Sequence, residues 1–125
     1  MSAPRTVTVQ TLVDGPVTLP EPSWCRGEHP AVERPADIRH EGEELSAIAD
    51  TACHGRIPFL NAFLLQYPLA ENTSRAVTVA VQIEGEHHEF DPVGLGDLAA
   101  TITAHALYGL LPLRRQLRAL LDEES

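Results

Sequence analysis

Residues 13–35 constrain this chain more than any other stretch, because they hold five prolines: Pro16, Pro20, Pro22, Pro30 and Pro35. Proline fixes φ and removes a backbone donor, which excludes helix and weakens any sheet ladder. The stretch is therefore predicted to be an irregular, Pro-rich loop. An irregular segment of this length inside a compact fold needs something to keep it ordered. The same stretch carries Trp24, Cys25 and His29, residue types able to supply a tether. The whole chain has 125 residues, which suits one domain over 1–125 with a core of its own. Any tether is then needed locally and not to make a core possible.

On either side of this loop the periodicity is clearer. Thr6 to Leu12 alternates and is rich in β-branched residues, the pattern of a strand, and Asp14-Gly15-Pro16 ends it. Ala36–His40 reads as a short strand with Glu44–Ala49 as its hairpin partner across an acidic turn, and Thr51–Gly55 as a loop. The apolar run Ile57–Tyr67, stopped by Pro68, has a length that fits a buried strand or a short helix, and the very clear strand that follows favours strand. In Ala76–Glu84 the residues Val77, Val79, Val81 and Ile83 share one face, Gly85-Glu86 turns the chain, and His87–Phe90 returns. Asp91-Pro92 has the form of a helix start, with Asp as N-cap and Pro in the first turn. Leu95, Leu98, Ala99, Ile102, Ala106 and Leu110 then recur at helical spacing. Gly109 and Pro112 are expected to break or kink this helical region, 91–124, before a second piece carrying Leu113, Leu117, Leu120 and Leu121. Strands first and helix last predict an α+β fold: an antiparallel sheet of four to five strands packed on a C-terminal helix.

The pointed chemistry is Trp24-Cys25-x3-His29 followed by His40. Zinc favours thiolate and imidazole donors in a tetrahedral array. A Cys and a His four positions apart can reach one ion from a tight turn, which Gly27 permits, and His40 can supply a third ligand. Glu21 is a candidate fourth ligand, with Cys53 and His54 as competitors. Against this, an isolated Cys often serves as a small core hydrophobe. Glu28, beside His29, can be cast as a general base, but it is one of twelve glutamates.

These residues also carry a resemblance. Trp24, Cys25 and His29, then His40-Glu41-Gly42, then Gln66-Tyr67-Pro68 resemble the motifs C-P-x-W-C-x3-4-H, H-x-G and Q-Y-P of a family of short, uncharacterised streptomycete-type actinobacterial proteins, a domain of unknown function. The resemblance spans most of residues 6–110. It implies a zinc-like Cys2His2 site in which this chain keeps three ligands and has Glu21 where the family pattern has its first Cys. It implies no activity. Residues and resemblance together point to a binding or regulatory module with a structural zinc knuckle on Cys25, His29, His40 and Glu21. A small zinc-dependent hydrolase or transferase using an open position on the same ion is the alternative. A metal-free accessory protein acting through its surface is the third.

Other features exclude more than they suggest. The formal net charge is −9 and there is no lysine. An acidic surface repels phosphate backbones and anionic headgroups, so the expected partner is another protein, with no nucleic acid and no membrane. Arg114, Arg115 and Arg118 cluster, but positive charge there complements a helix C-terminus. No apolar run approaches the ~20 residues of a membrane span, no leader is evident, and two cysteines make no disulfide framework. These together predict a cytoplasmic protein. His87 and His88 face opposite sides of a strand, so one ion cannot take both without distortion. Cys53-His54 lacks a third orienting group, and Gly94-x-Gly96 lacks the third glycine of a dinucleotide fingerprint. His105 is expected at the edge of the helix core, and Trp24 as a lid on the knuckle.

Overall fold

A hairpin opens the chain in a computed structural model that describes residues 5–124. Strand β1 (Arg5–Thr11) pairs antiparallel with β2 (Gly15–Glu21), from Thr11 opposite Gly15 to Arg5 opposite Glu21. The expectation of irregular structure from residue 13 is therefore wrong over 15–21. Pro16 faces Gln10 and Pro20 faces Thr6, so the two prolines share one parity. Residues of one parity in a two-stranded ribbon point their backbone N–H groups outward, and proline there removes no ladder bond. The other parity puts Val17, Leu19 and Glu21 on the same face as Val7, Val9 and Thr11. Val9 and Leu19 on that face are buried. The turn is closed by Thr11, whose hydroxyl donates to the Gly15 carbonyl (2.7 Å) and accepts from the Asp14 N–H (3.1 Å). Gly15 sits at φ +65, where a side chain would be strained.

What remains irregular is docked along β1. The Val32 N–H donates to the Gln10 carbonyl (3.0 Å) and the Leu12 N–H to the Val32 carbonyl (3.1 Å). Pro35–Asp37 forms a short 3-10 turn, so the strand expected over Ala36–His40 shrinks to β3 (His40–Glu41). Ile38, just after the turn, is 1 % exposed and joins Val9 and Leu19 in a core flanked by Val7, Val17, Val32 and Leu69.

The second sheet is built around one long strand, β5 (Gly55–Gln66). Strand β4 (Leu45–Thr51) and β3 both pair with it, β4 along its first part and β3 at its far end, with His40 opposite Gln66. The expected hairpin between 36–40 and 44–49 is thus overturned. β4 forms its hairpin with β5 through the turn 51–55, because the run 55–66 is long enough to seat both short strands on one edge. Strands β6 (Thr78–Ile83) and β7 (Glu86–Phe90) continue the sheet on the other side of β5, all antiparallel. The β6–β7 turn centres on Glu84 (φ 54) and Gly85 (φ 82), one residue earlier than expected. A two-residue hairpin loop of this type needs positive φ at both positions.

The helix, described by itself, is α1 (Pro92–His105), a π-helical turn (Ala106–Leu110) and α2 (Leu111–Glu124). Asp91-Pro92 starts it as predicted, but Gly109 and Pro112 do not break it. The helix widens instead: the Leu111 N–H bonds the Ala106 carbonyl five residues back. A proline at 112 has no N–H and would clash with the carbonyl four residues before it in regular α-helix, and the wider turn relieves that clash. Gly109 leaves room for the His105 ring, whose Nδ1 would lie 3.3 Å from an added Cβ; His105 is exposed and belongs to no core. Among the described residues no helix is long and apolar enough to cross a membrane. The chain is α+β, with antiparallel sheets of two and five strands and a C-terminal helix.

Candidate metal centre

Glu21, Cys25, His29 and His40 come together where β2 ends and β3 begins. One ligand atom from each lies within 4.8 Å of the other three, so the group could hold a metal ion. The local reasons are visible. Alternation along β2 carries Val17 and Leu19 inward and then Glu21, a carboxylate at a core-facing position with a side chain 4 % exposed. After Pro22 a turn closes with the Cys25 N–H on the Pro22 carbonyl (3.1 Å). Gly27, at φ +82, reverses the chain, so His29 returns onto Cys25 and Glu21. His40 is 1 % exposed and is held by β3.

Contacts inside the group are short. Nε2 of His29 lies 2.8 Å from Oε2 of Glu21 and 3.6 Å from Sγ of Cys25. Nδ1 of His40 lies 2.8 Å from Oε1 of Glu21, an ion-pair distance, and neither buried atom has a well-aligned hydrogen bond. His40 also hydrogen-bonds the backbone carbonyl of Pro20. Cys25 Sγ accepts the Gly27 N–H at 3.5 Å and a second backbone N–H from Glu41. Such amide donors favour a thiolate over a thiol.

The electrostatics point the same way. Burial pushes the Cys25 thiol up, the Glu21 carboxylate adds to this, and the two amide donors oppose it. Burial pushes His40 down, with Glu21 opposing and His29 adding to the shift. Burial alone would raise Glu21, but hydrogen bonds from Cys25 and His29 and the imidazole charges outweigh it and hold the carboxyl low. The group thus presents a carboxylate, a neutral imidazole and a thiol that needs a nearby cation to ionise. A tetrahedron with bonds of about 2.0–2.3 Å has edges of roughly 3.3–3.8 Å. The separations in the cluster, from 2.8 Å to within 4.8 Å, bracket that size.

The competing residues lie elsewhere. Cys53 and His54 occupy the exposed β4–β5 turn and are not in the cluster. The Glu28 side chain is 74 % exposed and pairs with Arg26 (3.3 Å). Trp24 is half-buried, its ring edge-on to His40 with centroids 6.2 Å apart. Sequence reasoning missed the role of Gly42. An added Cβ there would sit 3.3 Å from both Leu64 Cβ and the Trp24 carbonyl oxygen. At Gly42, just after β3, the chain passes close to both β5 and the turn holding Cys25. It also missed that Val17-x-Leu19-x-Glu21 continues a strand pattern, the signal that would have turned Glu21 inward.

The chain belongs to the family described as Domain of unknown function (DUF6907), which it matches over residues 6–119. No curated protein matches it, and neither does any solved structure.

Proposed function

We propose that this member of the DUF6907 family is a binding or regulatory module whose structural zinc ion is held by Glu21, Cys25, His29 and His40. The observation that carries this reading is the convergence of four donor side chains, with ligand atoms within 4.8 Å of one another and the buried Glu21 Oε1 and His40 Nδ1 only 2.8 Å apart. A carboxylate oxygen and an imidazole nitrogen at that distance share a proton or a cation, since buried polar atoms without partners are rare. A divalent cation with one thiolate, one carboxylate and two neutral imidazoles makes a neutral unit, which suits a site this buried. The amide donors on Cys25 Sγ and the Pro20 carbonyl on His40 are the outer support such ligands need.

The ion's role in this reading is to pin the segment between β2 and β3. Structural zinc contributes roughly 10–16 kcal/mol to zinc-finger peptides at neutral pH; a domain with a separate hydrophobic core depends on it less. A zinc hydrolase or transferase keeps an open coordination position, and in this reading the Glu21 carboxylate takes the fourth place. In a metal-free accessory protein a proton on His40 Nδ1 joins the Glu21–His40 pair, but the approach of Cys25 and His29 to the same point has no such cause. The acidic balance, −9 overall, favours a protein partner over nucleic acid or an anionic membrane. Metal analysis of untagged protein by mass spectrometry should find one zinc per chain. Absence of stoichiometric metal, with folding unchanged in chelator, would reject the reading.

A further inference from the structure

We infer that the ion is the joint between the two sheets, and that removing it releases β1, β2 and the segment 22–39 as one unit while β5, β6 and β7 stay folded; this rests on the reading of the cluster as a zinc site. Glu21 is the last residue of β2, His40 is the first of β3, and Cys25 and His29 lie on the chain between them. One ion on all four would therefore bind both sheets and their connection. Beside the cluster stand only modest joins among the described residues: the Arg26–Glu41 contacts, and Leu69, which follows β5 and packs against the Val9, Leu19 and Ile38 core. The sheets share no ladder.

The hairpin hangs on the connecting segment through the Val32 and Leu12 amides. That segment hangs on β3 through the Arg26 N–H on the Glu41 carbonyl (2.8 Å) and an exposed Arg26–Glu41 ion pair (3.3 Å). A two-stranded ribbon is at best marginal in water without a packed partner. The largest fully buried apolar side chains supporting this one are Val9 and Ile38, and Ile38 belongs to the same tethered segment. The five-stranded sheet has an unbroken β5–β6–β7 ladder and its own buried Leu65, Ala80 and Val81. Regions with few buried contacts open first and as units. Metal supply is thereby converted into exposure of the Val9, Leu19 and Ile38 face, a metal-responsive conformational device.

Hydrogen exchange read by mass spectrometry on the full chain tests this, zinc-loaded and after chelation, with metal content measured in the same samples. The expected result is a loss of protection of about tenfold or more over residues 6–21 and 30–39, with β5 and β6 unchanged. Glu21→Cys keeps a donor at that place and should retain both the protection and its loss on chelation. Zinc removed with no change in the hairpin, or with all strands opening together, overturns the inference and leaves the zinc site standing. A Glu21→Cys chain that holds zinc but has an unprotected hairpin also overturns it. A chain that never takes up zinc sinks both readings.

Discussion

Two hairpins in this protein share one turn and meet different fates. In β1–β2 the turn is Thr11-Leu12-Val13-Asp14-Gly15, and in β4–β5 it is Thr51-Ala52-Cys53-His54-Gly55. In each, the threonine hydroxyl donates to the glycine carbonyl, at 2.7 and 2.9 Å, and accepts an N–H three residues on, at 3.1 and 3.0 Å. The glycines sit at φ 65 and 67. Beyond the turns they diverge. One face of β1–β2 is buried and ends on Glu21, whereas β4–β5 exposes Leu45, Ile48, Ile57 and Phe59. Each hairpin also has a Cys and a His nearby, but only Cys25 and His29 converge. Turn chemistry is local and repeats wherever its residues repeat. A ligand cluster needs an inward-facing donor from one sheet and a second donor from another strand, and the tip of a hairpin offers neither.

That contrast can be broken most forcefully at its buried end. His40→Ala or Cys25→Ser should weaken zinc binding by more than about 100-fold, beyond the loss typical of removing an outer-shell support, with a large fall in thermal stability. Titration against a chromophoric chelator and a melting curve measure both. Acid should act in the same direction. Glu21 and His40 are both held below their ordinary values, so each contributes stability at neutral pH. That contribution is lost as pH falls, beginning below about 6.5 for the imidazole. Cys25, pushed up, contributes in the opposite sense and only on the alkaline side. Denaturant midpoints of metal-free protein between pH 7 and 4 should decline; a flat profile would refute the buried-cluster electrostatics.

A smaller effect is expected at the crossing point. Gly42→Ala drives a Cβ against Leu64 and the Trp24 carbonyl at 3.3 Å and should cost roughly 1–3 kcal/mol by overpacking. Because Trp24 is the sole tryptophan, its emission reports the same shift. Gly15→Ala and Gly55→Ala each force a side chain into the left-handed region and should cost about 1–2 kcal/mol. If the hairpins differ only beyond their turns, the two losses will agree. Smallest of all, Cys53→Ser with His54→Ala should change stability by less than about 0.5 kcal/mol and leave metal content unaltered. A loss of zinc in that double variant would place the fourth ligand at the wrong hairpin.

Much of the fold was legible because its signals are local. Val79, Val81 and Ile83 alternate through β6, the apolar run ending before Pro68 supplies most of β5, and Asp91-Pro92 starts the helix. Cys25, His29, His40 and Glu21 were all nameable from residue type and spacing. The failures were non-local. Pro16 and Pro20 looked incompatible with a strand because their harm depends on which parity faces the partner, and pairing decides that. β4 was given the wrong neighbour because sequence proximity to 36–40 competes with a longer edge offered by β5. Gly109 and Pro112 read as a break because the helix's ability to widen by one residue leaves no mark in composition.

By itself, then, the chain's order of residues determined the turns, the alternating strands, the helix start and the four donor types, since each follows from dihedral preference, periodicity or ligand chemistry over a few positions. Tertiary structure alone decided that Glu21, and not Cys53 or His54, completes the cluster. The reason is geometric. Whether a side chain points inward is set by the parity of its strand, and whether two inward donors meet is set by which strands lie side by side.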